Sequence, residues 1–310
     1  MKIEKLTPAF KDYVWGGNKL KEKYGKQTDL SPCAESWELS AHRDGLSALS
    51  DGRTLLEAFD AAELGENAAR FDFFPMLIKF IDAASDLSVQ VHPSNEYALE
   101  HEQSLGKSEL WYVVEADAGA GLYVGFKKNV TKAEYEEAIR NNTLCPLLNF
   151  FEAKAGDFYF IPAGTVHSIG SGCLVCEIQQ NSNLTYRVYD HGRVGKDGKP
   201  RELHIAKALD VSILDAYIPE AAPSQADENG GILLGSCDCF ESRLYLIDGK
   251  KTVKLGKNSF RAVCCVKGEG FIGGLPARAG DTFFVSACDE ELSVNGKMSV
   301  IVSFVPDKKK

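Results

Sequence analysis

An internal echo constrains the fold more than any other feature of this chain. Lys154-Ala-Gly-Asp-Phe-Tyr-Phe-Ile-Pro-Ala-Gly164 recurs 124 residues later as Arg278-Ala-Gly-Asp-Thr-Phe-Phe-Val-Ser-Ala-Cys288. Each copy turns tightly at Ala-Gly-Asp and then enters an apolar strand. One device used twice implies two copies of one β-barrel unit; chance likeness between two turns is the plain alternative. The rest of the pattern agrees. Runs at 110–114, 121–126, 157–161, 174–178, 243–247, 261–266, 282–285 and 299–305 are rich in Val, Ile, Phe and Tyr and end at turn residues. Such runs suit a sandwich or barrel of antiparallel strands. The capping box Thr131-Lys-Ala-Glu134 predicts a helix to about Arg140, and 55–70, 95–105 and 205–214 also read as helical. A stretch rich in Ala, Pro, Ser, Asp and Gly at 219–231 reads as a linker, which divides 310 residues into units at 1–218 and 232–310. Two domains are what this length predicts. The second copy of the echo has Ser286 and Cys288 where the first has Pro162 and Gly164, and no histidine follows His204. Any histidine site therefore lies in the first unit.

Charge excludes several classes of partner. There are 35 basic and 44 acidic side chains, a net charge of −9. A negative chain without a large basic patch suits neither nucleic acid nor an anionic membrane, and Lys308-Lys309-Lys310 reads as a solvated tail. No run approaches the roughly 20 apolar residues that span a bilayer. Met1-Lys2-Ile3-Glu4-Lys5 has no signal-peptide core, so a cytoplasmic location is expected. Of the nine cysteines, only Cys173 and Cys176 have C-x2-C spacing. They fall in an apparent strand, where residues three apart face opposite ways. Reduced, partly buried thiols are expected rather than a cysteine metal site.

Two of the six histidines stand apart. His42, His101, His191 and His204 have polar neighbours, where a ring is commonly solvated or singly hydrogen-bonded. His92 lies in the alternating run Leu87-Ser-Val-Gln-Val-His-Pro93. There Gln90 and His92 face one side, and Val89 and Val91 the other. His167 closes Gly156-x5-Pro162-x-Gly164-x2-His167, a strand, a Pro-Gly turn and a histidine opening the next strand. Glu109 begins the run Leu110-Trp-Tyr-Val-Val, with Lys107 two residues earlier on the same face.

These motifs resemble the cupin β-barrels. The glycine–proline–glycine–histidine spacing matches their second signature, while the first is altered to Gln-x-His with Glu109 placed 17 residues after His92. That alteration resembles the type I mannose-6-phosphate isomerases in their short bacterial form. Tyr13-Val-Trp-Gly-Gly17, Glu35-Ser-Trp-Glu-Leu-Ser40, Gln90-Val-His-Pro93, Gly106-Lys-Ser-Glu109 and Asn183-Leu-Thr-Tyr-Arg-Val-Tyr-Asp190 add to it, in order along the first ~200 residues. The resemblance implies a mainly β fold: two cupin-type jelly-roll barrels with helical insertions, the second degenerate. It implies one divalent metal per chain, zinc being the expected ion, held by Gln90, His92, Glu109 and His167. It also implies interconversion of mannose 6-phosphate and fructose 6-phosphate through a cis-enediol(ate). The substrate would be a small-molecule sugar phosphate, with no obligate protein partner.

Moving a proton between C1 and C2 needs a base, an electrophile for the developing oxyanion, and an anchor for the phosphate. Lys107 is a candidate base, since beside a metal in a closed barrel its charged form is disfavoured. Neutralising Glu109 or the sugar phosphate is its alternative role. Arg187, by resemblance, points into the same cavity, and a guanidinium there would stabilise the enediolate or orient the sugar. Many members of the family have an aspartate where this chain has Asn183, which would shift any proton transfer there to water or Lys107. Arg193, Lys199 and Arg201, in the basic glycine-rich loop 192–201, are candidates for the phosphate; a solvated hairpin tip is the other reading. Two rival functions remain. Another cupin metalloenzyme, such as an iron dioxygenase, fits the Gln90 amide and Lys107 poorly. A non-catalytic sugar-binding cupin would be expected to lose the ligands that the first unit keeps.

Overall fold

The computed structural model describes residues 2–195, 198–219 and 226–308. Residues 220–225 of the expected linker and 309–310 of the basic tail lie outside the described residues. Three large sheets carry the fold, and the strands within each pair antiparallel. The first has six strands in the order Phe158–Ile161, Glu109–Ala116, Cys173–Gln180, Met76–Asp82, Glu35–Leu39 and Ala9–Lys11. The second has five, in the order Leu148–Glu152, Gly121–Phe126, His167–Ile169, Val89–Val91 and Tyr186–Tyr189. The third, seven-stranded, is built mainly from the long strands Glu241–Lys254, Arg261–Ile272 and Glu291–Phe304.

The sequence echo is a structural repeat. In the first copy Lys154 N donates to the Asp157 carboxylate (2.8 Å) and Asp157 N to Lys154 O (3.0 Å). In the second, Arg278 N and Asp281 N make the same pair of bonds, each at 3.0 Å. Gly156 and Gly280 both adopt positive φ (100° and 94°), which an L side chain resists. Each glycine N–H then reaches a neighbouring strand, at Val113 O and Cys265 O respectively. The strands that follow pair with Glu109–Ala116 in one sheet and Arg261–Ile272 in the other. The sheets are thus laid out alike from this turn onward.

Alternation decides where each face goes. Ile81, Trp111, Val113, Cys173 and Val175 point from the six-stranded sheet onto Leu122, Val124 and Ile169 of the five-stranded sheet. Ile78, Phe80, Leu110, Tyr112 and Cys176 point the other way, into a core shared with Ala262, Cys264, Phe284 and Ile301 of the third sheet. Cys173 and Cys176 therefore belong to different cores, and all nine cysteines are free thiols.

Several elements depart from expectation. Residues 55–70 form three four-residue helices, Leu55–Ala58, Ala61–Leu64 and Glu66–Ala69, in place of one helix. Phe59 is extended, Asp60 starts a second capping box, and Gly65 sits at φ 86° against the Asn258 backbone, where a Cβ would lie 2.6 Å from the carbonyl oxygen. Helix Asn95–Glu102 stops three residues early because Gln103 turns left-handed. The three long strands outrun their apolar segments, since Lys, Gly and Asn end hydrophobicity without ending the ladder; Glu241–Lys254 pairs with Glu291–Phe304 without a break. Finally, the N-terminal strand Ile3–Lys5 joins the third sheet beside Thr282–Val285, so the first residues cross to the C-terminal side of the boundary drawn at 218.

Candidate metal centre and its cavity

Strand register assembles the centre. Gln90 is flanked by His167 on one neighbouring strand and by Arg187 on the other. Because Val89 and Val91 are buried in a separate core, Gln90 and His92 turn to the opposite side, as the alternation requires. Glu109 opens a strand of the facing sheet. His92, Glu109 and His167 are fully buried, and one ligand atom of each lies within 4.8 Å of the others. Among the described residues no other His, Cys, Asp and Glu group meets that condition.

The backbone sets both imidazoles. His92 Nδ1 lies 2.8 Å from Leu184 O, and His167 Nδ1 lies 2.8 Å from Thr165 O. A carbonyl only accepts, so Nδ1 carries the proton in each ring and Nε2 presents its lone pair. Those Nε2 atoms approach Glu109 Oε1 at 3.0 Å and Oε2 at 3.7 Å. Gln90 completes the group, its amide 3.4 Å from His167 Nε2. An amide interchanges oxygen and nitrogen by a half-turn, so Gln90 can present oxygen there. Burial pushes His92 down to about 3 and lowers His167 as well, keeping both rings neutral. Burial opposes ionisation of Glu109, yet the adjacent Lys107 holds its carboxyl well below the usual range.

The donor set fits a divalent cation. Two neutral imidazoles and a carboxylate with an amide nearby make a mixed nitrogen–oxygen shell. Neither Glu109 oxygen accepts a hydrogen bond of acceptable geometry, although Lys107 Nζ lies 2.5 Å from Oε1. A buried carboxylate left this way is costly unless a cation meets it. Lys107 Nζ is also 3.4 Å from His92 Nε2, so the lysine head faces both the carboxylate and an imidazole of the group.

The centre lies beneath a cavity of about 410 Å³. On its floor, a cross-strand row of Trp111, Glu177, Lys79 and Trp37 runs through the six-stranded sheet. Lys79 Nζ is 3.4 Å from Glu177 and 3.8 Å from Glu35, and the indoles of Trp111 and Trp37 donate to those same carboxylates. Burial opposes the charge on Lys79, but Glu35 and Glu177 raise its pKa. Burial raises Glu177, with the charge of Glu109 adding to it. Three carboxylates and two lysines leave one net negative charge here. A divalent cation would reverse that sign.

The expected residues divide between the cavity and its surroundings. Gln90, Lys107, Arg187, Arg201 and Asn183 line it. Arg187 lies within strand Tyr186–Tyr189, and its Nε donates to Ser88 Oγ at 3.2 Å. Ser88 is also 3.4 Å from Gln90 Oε1, linking the arginine to the ligand group. Arg193 and Lys199 do not line the cavity; Arg193 and Arg201 converge instead on the carboxylate of Asp190. Asn183 donates to Asp44 at 3.0 Å. His204, read as a solvated or singly hydrogen-bonded ring, lines the cavity. Sequence reasoning missed Lys79 and Glu177 altogether, though a charge in the middle of the apolar runs 76–81 and 173–178 implies a buried partner. Tyr13, Trp15 and Glu35, each part of a sequence motif, also line the cavity.

Comparisons with known proteins converge. A model of the family "Phosphomannose isomerase type I, catalytic domain" matches residues 3–113. The mannose-6-phosphate isomerase ManA of Bacillus subtilis is 35% identical over 96% of this chain and 97% of its own. The crystal structure of a mannose 6-phosphate isomerase from Bacillus subtilis superposes with a TM-score of 0.88 at 33% identity, covering 98% of this chain and 99% of that one. A mannose 6-phosphate isomerase solved with zinc and yttrium shares the fold at a TM-score of 0.78 and 18% identity, covering 98% of this chain and 100% of the other.

Proposed function

The chain belongs to the type I phosphomannose isomerases, and from that premise we propose that it interconverts mannose 6-phosphate and fructose 6-phosphate through a cis-enediol(ate), using one divalent metal, zinc by expectation. The observation that carries this reading is the buried His92–Glu109–His167 group, with both Nε2 lone pairs turned inward by backbone bonds. Those three residues and Gln90 would hold the ion. Bound there, it supplies a Lewis acid toward the sugar oxygens.

The remaining steps fall to the chain's own groups. Lys107, buried beside the ligands, is the proposed base. In a cis-enediolate C1 and C2 present one face, so a single amine can take the proton from C2 and return it to C1. Arg187 faces the same cavity and remains a cation, although burial lowers its pKa from the ordinary guanidinium value. We assign it the developing oxyanion. Of the three phosphate candidates, Arg201 has the support of position, since it alone lines the cavity.

The two repeated units are proposed to be cupin-type jelly-roll barrels, with the metal centre in 1–218, a linker at 219–231 and a degenerate barrel at 232–310. No described helix is long and apolar enough to cross a membrane, and the proposed setting is the cytoplasm with a small-molecule substrate. The test is a coupled assay for fructose 6-phosphate formed from mannose 6-phosphate, with and without prior chelation. Absence of product from metal-loaded protein would overturn the reading.

A further inference from the structure

The cavity lining divides by chain segment. The six-stranded sheet contributes the floor of Glu35, Lys79 and Glu177, whereas segment 183–204 contributes Asn183, Leu184, Thr185, Arg187, Arg201 and His204. That second group contains cations and uncharged donors but no carboxylate. An anionic substituent on a ligand is drawn to this side and repelled from the acids of the other.

His204 is held on that side by a reciprocal backbone lock. Its own N–H donates to Arg187 O at 2.8 Å, and the Arg187 N–H donates to His204 Nδ1 at 3.3 Å. Nδ1 is therefore an acceptor, and a neutral ring carries its proton on Nε2. The acid facing Nε2 is Glu202, 3.9 Å away on a side chain 83% exposed. Burial lowers the pKa of His204; Glu202 and Glu102 pull it up, and Arg187 and Lys207 pull it down. The lock also means that His204 and Arg187 enter the cavity from one rigid piece of backbone.

We propose that His204 binds the phosphate group of the substrate: its Nε2–H donates to a phosphate oxygen whose charge is met by Arg201, which lines the same cavity. The assignment rests on the sugar-phosphate reading above and adds a residue to it. Asp190 fixes the guanidinium of Arg201 by accepting from Nε at 2.7 Å and Nη2 at 2.5 Å. One side of the phosphate thus meets a charged, oriented donor, and the other meets a neutral one. A hydrogen bond to a charged group is worth about tenfold or more in affinity.

Two substitutions separate ligand contact from packing. His204→Asn keeps an acceptor near the Nδ1 position but removes the Nε2 donor; His204→Gln restores an N–H near the Nε2 position. In metal-loaded full-length protein, His204→Asn is expected to raise KM for mannose 6-phosphate roughly tenfold while kcat changes less than about threefold. The affinity for inorganic phosphate, measured by calorimetry, should weaken in parallel, and His204→Gln should recover most of both. The proposal is overturned if phosphate affinity is unmoved in His204→Asn. It is equally overturned if kcat falls with KM unchanged, which would place the ring at the reacting carbons, or if His204→Gln is as impaired as His204→Asn. Should wild-type protein bind phosphate but not turn over mannose 6-phosphate, the isomerase reading fails while calorimetry still decides the role of His204.

Discussion

Arg261 stands in the seven-stranded sheet where Glu109 stands in the six-stranded one. Glu109 pairs with Ile161 and Arg261 with Val285, and these partners occupy the same step of the repeated turn and strand. A guanidinium is always protonated and offers no lone pair to a cation. Elemental analysis should accordingly find about one divalent ion per chain. Arg261→Ala should leave that content unchanged, while Glu109→Ala or His167→Ala should remove it. Full activity in protein shown to be metal-free would end the metal hypothesis.

The turn at Arg278 and Asp281 belongs to packing. Its N–H and carboxylate bonds close the start of strand Thr282–Val285, far in sequence from every proposed ligand. Asp281→Ala should lower the thermal midpoint by the few degrees that ~1–2 kcal/mol brings in a chain this size. Turnover per folded molecule should stay near the wild-type value. A large loss in well-folded protein would assign the third sheet a part in the chemistry.

Lys107 and Arg187 should fail differently. Arg187→Ala is expected to lower turnover by about 10²–10³, the scale of one lost oxyanion donor, with metal retained. Lys107→Ala should lower turnover and slow exchange of the substrate C2 proton with solvent. Exchange at the wild-type rate in Lys107→Ala would make that residue an anchor and move the base elsewhere.

Acid should weaken the metal-free protein through His92. Burial holds its folded pKa near 3, against about 6.5 in an unfolded chain. Between those values the unfolded state binds a proton that the folded state refuses, so stability falls as pH drops from about 6.5 toward 3. Thermal scans of chelated protein should show this slope reduced in His92→Asn. An identical slope in the two proteins would mean that His92 is not the buried neutral group described here.

On the cavity floor, Lys79 lies between two carboxylates with 3% of its surface exposed. Lys79→Met would leave Glu35 and Glu177 facing each other, at a cost of about 3–5 kcal/mol. Chemical denaturation should report that loss at neutral pH and a smaller one in acid, where a carboxyl can protonate. A loss independent of pH would point to lost packing instead.

Much of this was legible in the sequence because short-range rules govern it. Period two fixed the faces of Gln90 and His92 and separated Cys173 from Cys176; the capping box at Thr131 and Glu134 opens helix Lys132–Arg140 as expected. What escaped depends on partners distant in the chain. Nothing near Lys79 announces Glu177, 98 residues away, and nothing near His204 announces that its ring is locked to the backbone of Arg187. Strand Ile3–Lys5 is likewise three ordinary residues whose place is set by an edge at 283–285.

The two carbonyls that hold the histidine rings, Leu184 O and Thr165 O, belong to the main chain, and every amino acid carries one. Substitutions at 184 and 165 can change side-chain bulk without abolishing the acceptor. The orientation of both rings is therefore insulated from drift at the positions that enforce it, and a comparison of side chains alone cannot see its source. What endangers it is an insertion or deletion that displaces the carbonyl. In laboratory evolution of this chain, positions 165 and 184 should tolerate replacement while their loops tolerate almost no change of length.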